Sequence, residues 1–344
     1  MRPDDGDQVE RNPQGEQVMT ASSPEPGKQA VVTGGAGFLG LHLCERLVAR
    51  GVRVACVDNF ITGSPGNVSP LTASPLFTLI NRDITEGLDV GGPVEYVFHL
   101  ASPADYLRFP VQTLKAGSAG TIHALELARK ERATFVLASS SEVYGDPLEH
   151  PQPESYWGNV NPIGPRSPYD EAKRFAEATT AAYARTYGVS TAIARVFNSY
   201  GPQMRPDDGR AIPTFIRQAL VGEPVTVTGS GQQTRSLCYV DDTIDGILAL
   251  AASPHSGPVN IGSDHEMTVL QIATLILGIT GSASPVRFIP LPADDPSRRR
   301  PDISRARDLI GWQAAVKLEK GLKRTVAWFA AQDVRLSQAG LTDG

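Results

Sequence analysis

Tyr169 and Lys173 stand four residues apart in YDEAKR, at the head of a segment, residues 167–187, whose apolar positions recur with a helical period. On a helix an i, i+4 pair shares one face, so the phenol and the ammonium would sit side by side. A phenol ionises near pH ~10 and is a poor base at neutrality, but beside a dinucleotide loop the neighbouring ammonium and a nicotinamide cation would both favour the phenolate. Bringing it near pH 7 takes about 4 kcal/mol of differential stabilisation. Such a group could take the proton of a hydroxyl whose carbon gives up hydride. The plain alternative is an exposed helix pair with a solvated ammonium. A second constellation, Ser140-Ser141-Glu142, closes an apolar run at Thr134–Ala138 that reads as a buried strand. A core would prefer valine there, whereas polar groups at the carboxyl ends of parallel strands face ligand.

The run VVTGGAGFLG places Gly34, Gly37 and Gly40 after an apolar strand and at the opening of a helix. Glycine lets the backbone approach a pyrophosphate, whose charge a helix N-terminus favours. With 33 glycines in the chain the spacing alone is weak, but the context adds to it: Asp58 ends the next apolar strand 18 residues beyond Gly40. A carboxylate at that place can bind the adenosine ribose hydroxyls. It would repel a 2′-phosphate, so NAD is expected rather than NADP. Arg53, at the start of that strand, lies too far back to serve such a phosphate.

These groups need elements to hold them. Short β-branched runs at 30–34, 52–58, 76–83, 95–102, 133–140 and 190–196 alternate with helix-period segments at 38–50, 113–132 and 167–187. That alternation predicts an α/β fold, a Rossmann-type doubly wound parallel sheet whose ligands sit beyond the strands' carboxyl ends. After residue 200 the sequence turns rich in Gly, Pro and Asp, with helix-like PTFIRQALVG and VLQIATLILG. We read residues 29–200 as the NAD-binding domain and 201–335 as mainly a smaller α/β substrate domain, with 238–265 returning to the first. Residues 1–28 hold almost no large apolar side chains and read as a disordered leader, without the apolar run of a signal peptide.

Composition narrows the class further. No stretch of 18 apolar residues occurs, so no membrane span is expected. A net charge of −5 argues against a nucleic-acid partner. Cys44, Cys56 and Cys238 are widely spaced and odd in number, and the six histidines show no ligand spacing, so neither a disulfide framework nor a metal is expected. Cys238 and Trp157 are read as packing residues. The expected location is cytoplasmic.

With the glycine loop, Ser140 and the Tyr169/Lys173 pair in hand, the chain resembles the extended short-chain dehydrogenase/reductase superfamily, whose members act mostly on nucleotide sugars. In 4,6-dehydratases of that superfamily the triplet matching 140–142 is Thr-Asp-Glu, with the aspartate as acid for a departing hydroxyl. Ser141 is a poor acid for that task. In 4-epimerases the glutamate is usually absent as well, so Glu142 counts against simple epimerisation. A dinucleotide-binding sensor that has lost its chemistry would lack the tyrosine.

The blocks HLASPADY, SSSEVYGDPLEHPQPESYWGNVNPIGPRSPYDEAKRFAE, ARVFNSYGPQM, TRSLCYVDD and DDPSRRRPDI are similar to the UDP-glucuronate decarboxylases, over about residues 30–325. The chain departs from them at ASPADYLRFP, which is shorter, and at Ile-Pro-Thr in RAIPTFIRQAL. The resemblance implies that C4 of UDP-glucuronate is oxidised, the resulting β-keto acid loses CO2, C5 is reprotonated and C4 is reduced, regenerating NAD. A UDP-glucuronate or UDP-glucose 4-epimerase is the alternative. It further implies Tyr169 as base at C4, Lys173 as its partner on the nicotinamide ribose, and Ser140 on the C4 oxygen. Glu142 either shapes the sugar near C5, orders a water for reprotonation, or accepts backbone hydrogen bonds. Cofactor contacts are implied for Phe38, Leu39, Asn59, Thr62, Asp83 and Ile84, and for Leu100, Ser102 and Ser199. Lys115, Tyr183, Asn198, Arg235 and Arg299 are expected on the sugar nucleotide, since a diphosphate and a carboxylate need cationic donors. Arg210 is expected at the ligand, whether cofactor or sugar. A homodimer through 113–132 and 167–187 is also implied.

Overall fold

The computed structural model describes residues 28–339 except 104 and 208; the leader expected over 1–28 lies, apart from Lys28, outside the described residues. Six strands form successively: β1 Gln29–Thr33, β2 Arg53–Asp58, β3 Phe77–Asn81, β4 Tyr96–His99, β5 Thr134–Ser140 and β6 Thr191–Val196. They are followed by β7 Ser199–Tyr200, β8 Val225–Thr228, β9 Thr234–Ser236, β10 Cys238–Tyr239 and β11 Pro258–Ile261. The central sheet has seven strands in the order β11-β6-β5-β4-β1-β2-β3, every pair parallel. Strand order reverses between β1 and β4, the place where such sheets open a crevice for ligand. Strands buried on both faces need apolar side chains at consecutive positions, and Ala30, Val31 and Val32 of β1 are all fully buried.

Helices cover both faces of the sheet. On one face lie α1 Phe38–Ala49 and α7 Val240–Ala251, which also pack on each other. After α7 the chain re-enters the sheet as β11, at the register Val259↔Ala194 beside β6. Helix α2, Pro65–Val68, is a short turn after β2. The other face carries α3 Pro110–Lys115 and α4 Thr121–Glu131, joined by one wider π turn at Ala116–Gly120, and α5 Ser167–Tyr187. Along that continuous run the hydroxyls of Thr113, Ser118 and Thr121 donate to the carbonyls four residues back, at 2.7–2.8 Å. Such back-bonding loosens the helical ladder locally.

At the crevice His99 bridges β4 to β1 and to α4. Thr121 Oγ1 already donates to Gly117 O, so it accepts from His99 Nε2 at 3.1 Å, leaving Nδ1 to accept from Thr33 Oγ1 at 2.8 Å. Burial and the Lys173 charge push His99 down to about 3, so it is a neutral strut.

The later segments build the capping region. Helices α6 Ala211–Leu220, α8 Val269–Thr280, α9 Ser304–Ile310 and α10 Leu318–Ala339 accompany β12 Glu266–Thr268, β13 Val286–Ile289 and β14 Arg298–Arg299. Of these, α6 and α8 face the crevice, while α9 packs on β11 and α10 on α8. β8 pairs with β13, and β9 lies between β12 and β14. α8 starts on a capping box, with Thr268 Oγ1 accepting from Gln271 N and Gln271 Oε1 accepting from Thr268 N. The strand expected at 95–102 ends at His99 because the chain then turns along the crevice wall, and the one expected at 76–83 ends at Asn81.

Candidate active site

A cavity of about 1060 Å³ runs from the carboxyl ends of β1 and β2 to the small sheets of the capping region. At one end lies the glycine loop. Gly34 has φ +71°, and a Cβ there would stand 2.7–2.8 Å from the backbone of Leu100 and Ala101. A Cβ on Gly40 would lie 2.1 Å from Gly34 O, so neither position admits a side chain. Gly37 caps α1 without a side chain, which leaves amide donors of the first turn uncapped beside the cavity.

Asp58 closes this loop. Its Oδ2 accepts from Ala36 N at 3.0 Å and its Oδ1 from Phe60 N at 2.8 Å. Burial raises its pKa, and those two amides oppose the shift. Asn59 Nδ2 donates to Asp83 Oδ2 at 3.0 Å. Partial burial works against the Asp83 charge, but Thr85, Asn59 and Lys115 together hold it below the usual carboxylate range. Uncapped amides, glycines that cannot be replaced and a carboxylate at the end of β2 fit a dinucleotide.

At the middle of the cavity β5 delivers Ser140 and α5 delivers Tyr169 and Lys173. Ser140 and Tyr169 both line the cavity, and the Ser140 hydroxyl stands close enough to the phenol to favour its ionised form. Ser140 Oγ also accepts from Glu142 N at 3.2 Å. Lys173 Nζ donates to Ala138 O at 2.9 Å and lies 5.5 Å from the Tyr169 ring centre. Burial pushes Lys173 down to about 8. Burial likewise pushes Tyr169 up to about 12; the Ser140 hydroxyl opposes this, and Glu142 and Tyr106 add to it. In the chain alone, desolvation of the phenolate outweighs the neighbouring ammonium, which donates to a carbonyl; the lowering expected of the phenol counts a nicotinamide cation beside Lys173 as well.

Beyond Ser140 the wall is ionic. Glu142 is gripped by Arg299 on Oε1 and by Arg166 Nη2 on Oε2 at 2.7 Å. Burial would raise its pKa, but the two arginines hold it down to about 2. Of the three readings of Glu142, acceptance of backbone bonds is not what occurs. Asp295 lies 3.8 Å from Arg166 and 2.9 Å from Arg235. Tyr106 packs on the Tyr169 ring at 5.3 Å, with the Arg166 guanidinium 5.8 Å from its own centre. Sequence reasoning missed Arg166, Asp295 and Tyr106 as site residues. Each falls inside a block quoted for the resemblance, and Arg166 stands three residues before Tyr169, one helical turn away.

Most of the expected residues meet in this one cavity. Gly34, Gly37, Phe38, Leu39, Gly40 and Asp58 line it, as do Asn59, Thr62, Asp83, Ile84, Leu100 and Ser102. So do Lys115, Ser140, Glu142, Tyr169 and Lys173, together with Asn198, Ser199, Arg210 and Arg235. Arg210 lies 5.6 Å from the Phe38 ring centre.

Two do not reach it. Tyr183 is 14 residues beyond Tyr169 on the same helix, roughly 21 Å along the axis. Its hydroxyl donates instead to Glu126 Oε1 at 2.6 Å. Arg299 is buried behind Glu142, with Nη1 also donating to Ser141 Oγ at 3.4 Å and Nη2 to Gly145 O at 3.0 Å, so it meets the cavity through Glu142 and Ser141. Trp157, expected to pack, is 89% exposed, whereas Cys238 is buried.

Comparison with known proteins is consistent with this geometry. Residues 30–262 match the NAD dependent epimerase/dehydratase family. A UDP-glucuronic acid decarboxylase 1 of Danio rerio is 47% identical over 313 residues, 90% of this chain and 74% of that protein. Among solved structures, a UDP-glucose 4-epimerase of Thermotoga maritima with UDP-glucose aligns with a TM-score of 0.80 at 29% identity, over 88% of this chain and 99% of that one. A UDP-glucuronic acid 4-epimerase of Bacillus cereus, in complex with UDP-glucuronic acid and NAD, aligns with a TM-score of 0.77 at 27% identity, over 88% and 99%. The chain belongs to the NAD dependent epimerase/dehydratase family.

Proposed function

We propose that this chain decarboxylates UDP-glucuronic acid to UDP-xylose and CO2, with NAD regenerated in each cycle. The observation that carries the reading is the join of two halves at β5: a hydroxyl pair for O4, Ser140 with Tyr169, and beside it a carboxylate, Glu142, kept ionised by two arginines. The glycine loop, Asp58 and Lys173 would hold the dinucleotide. When bound it supplies an acceptor for the C4 hydride and returns it, so that the sugar passes through a 4-ketone whose β-carboxylate can leave as CO2.

The chain's own residues handle protons. Tyr169 takes the O4 proton as C4 is oxidised and gives it back on reduction, with Ser140 holding the oxygen. A phenol near 12 is protonated at neutral pH, so its base form needs partners beyond those the chain provides. Glu142, ionised down to about 2, is no proton donor. It is a fixed acceptor that orients a sugar hydroxyl or the water that returns a proton to C5. Ser141, between the two, offers no acid to expel hydroxide.

The neighbouring epimerase structures share the oxidised C4, and a UDP-glucuronate 4-epimerase is the second reading. The identity of nearly half to a decarboxylase favours the first. Incubating the purified chain with UDP-glucuronate and NAD separates them: CO2 and a UDP-pentose are expected, and a galacto-configured uronate without CO2 would overturn the proposal.

The reading includes NAD over NADP, from the Asp58 carboxylate, and action in the cytoplasm, which suits three buried free thiols. It also includes a homodimer. Val111, Leu114 and Ile122 on α3–α4 and Phe175 and Tyr187 on α5 expose apolar surface, which a second copy could cover. Sedimentation of the full chain at micromolar concentration would read a dimer; a lone monomer would remove that part.

A further inference from the structure

Five charged groups alternate in sign along the cavity wall. Arg235 Nη2 donates to Asp295 Oδ2 at 2.9 Å, and Asp295 Oδ1 lies 3.8 Å from Arg166 Nη1. Arg166 Nη2 holds Glu142 Oε2 at 2.7 Å, and Arg299 takes the other Glu142 oxygen. Asp295 thus divides its two oxygens between two arginines that serve different ends of the cavity. Arg235 stands on β9 of the capping region, whereas Arg166 leads into α5 beside Tyr169. Their side chains are only 15–18% exposed, so the charges act on one another with little screening.

This row of five counts three cations against two anions, so it carries one positive charge in excess. Burial and the nearby Arg299 hold Arg235 below the usual arginine range despite Asp295. A guanidinium fork binds a diphosphate better than a carboxylate it must share. When a diphosphate takes Arg235, Asp295 loses its shorter bond and its charge is left to Arg166. Arg166 meets Glu142 through Nη2 and Asp295 through Nη1 of one planar guanidinium, so a closer Arg166–Asp295 pair turns that plane and alters its hold on Glu142.

We propose that Asp295 is a positioning residue that couples occupancy of Arg235 by the nucleoside diphosphate to the set of Arg166 against Glu142. This rests on the decarboxylase reading. It extends that reading by making the nucleotide end of the substrate set the carboxylate that faces the reacting sugar. Arg235 stays anchored through Nη1 on Thr234 O and Pro296 O at 2.8 and 2.9 Å, so exchange of the Nη2 partner need not displace it.

Asp295→Asn and Asp295→Glu in the full chain test the coupling, with UDP affinity read by calorimetry and kcat by CO2 release at saturating UDP-glucuronate. In Asp295→Asn, Arg235 no longer leaves a carboxylate, and UDP should bind about fivefold more tightly. Its kcat should fall roughly tenfold. Asp295→Glu, which keeps the charge, should return kcat to within about threefold of the parent. Unchanged kcat in Asp295→Asn, or UDP affinity and kcat falling together as for a simple strut, would overturn the proposal. If the parent chain releases no CO2, the decarboxylase reading fails, yet the UDP titration still decides the Arg235 arm: tighter binding in Asp295→Asn supports it, and unchanged or weaker binding removes it.

Discussion

Tyr169 carries a proton that the fold by itself does not remove. Its pKa near 12 follows from burial reinforced by Glu142 and Tyr106, which the Ser140 hydroxyl and the Arg210 charge oppose without overcoming. Lys173 is bound to Ala138 O and acts as a neighbouring charge rather than a hydrogen-bond partner. As the proposed base, Tyr169 would therefore be poised by what the cavity holds, not by the residue pair alone. Tyr169→Phe removes the proton carrier but keeps the ring packed on Tyr106. It should lower kcat roughly 10³-fold while NAD binding, followed by calorimetry, stays as in the parent. Turnover within a few-fold of the parent would show that another group moves the O4 proton.

At the scale of elements, the site depends on how closely a few of them approach. β1 hands the chain to α1 through a loop so tight that a Cβ on Gly40 would lie 2.1 Å from Gly34 O. Gly40→Ala should cost about 1–3 kcal/mol of stability. It should also weaken NAD binding, because α1 must back away and take its open amides with it. A variant that melts like the parent and binds NAD equally well would contradict this. The loop, β2 and the head of α5 were legible in the sequence, because glycine spacing, apolar runs and an i, i+4 pair are local patterns. α7, α10 and the short capping strands were not. β9, β12 and β14 are two or three residues long and exist only because each finds its neighbour, so no local period announces them.

Across the whole molecule the carboxylates at this wall pull pH dependence in opposite directions. Glu142 is held down to about 2, so its contribution to stability is present above the ordinary value near 4.5 and is lost as pH falls through 2. Asp170, buried behind Arg166 with Oδ1 lacking any partner, is pushed up to about 7 by burial and by Glu142. Its contribution is therefore complete below the ordinary value near 3.8 and is lost as pH rises through 7. Asp170→Asn, which mimics the neutral acid, should gain on the order of 2 kcal/mol at pH 8 and little at pH 4, read from urea unfolding. A gain equal at both pH values would mean the effect is not one of charge. By itself the sequence determined the parallel sheet, the dinucleotide loop and the Ser140, Tyr169 and Lys173 set, because each is written in neighbouring residues whose periodicity the backbone must obey. Only the tertiary structure decided that Arg166, Asp295 and Tyr106 belong to the site, that Tyr183 does not, and that Arg299 acts from behind Glu142. Those memberships join β5, β14 and the head of α5 across more than a hundred residues of chain, and charge pairing between distant segments leaves no period in the sequence.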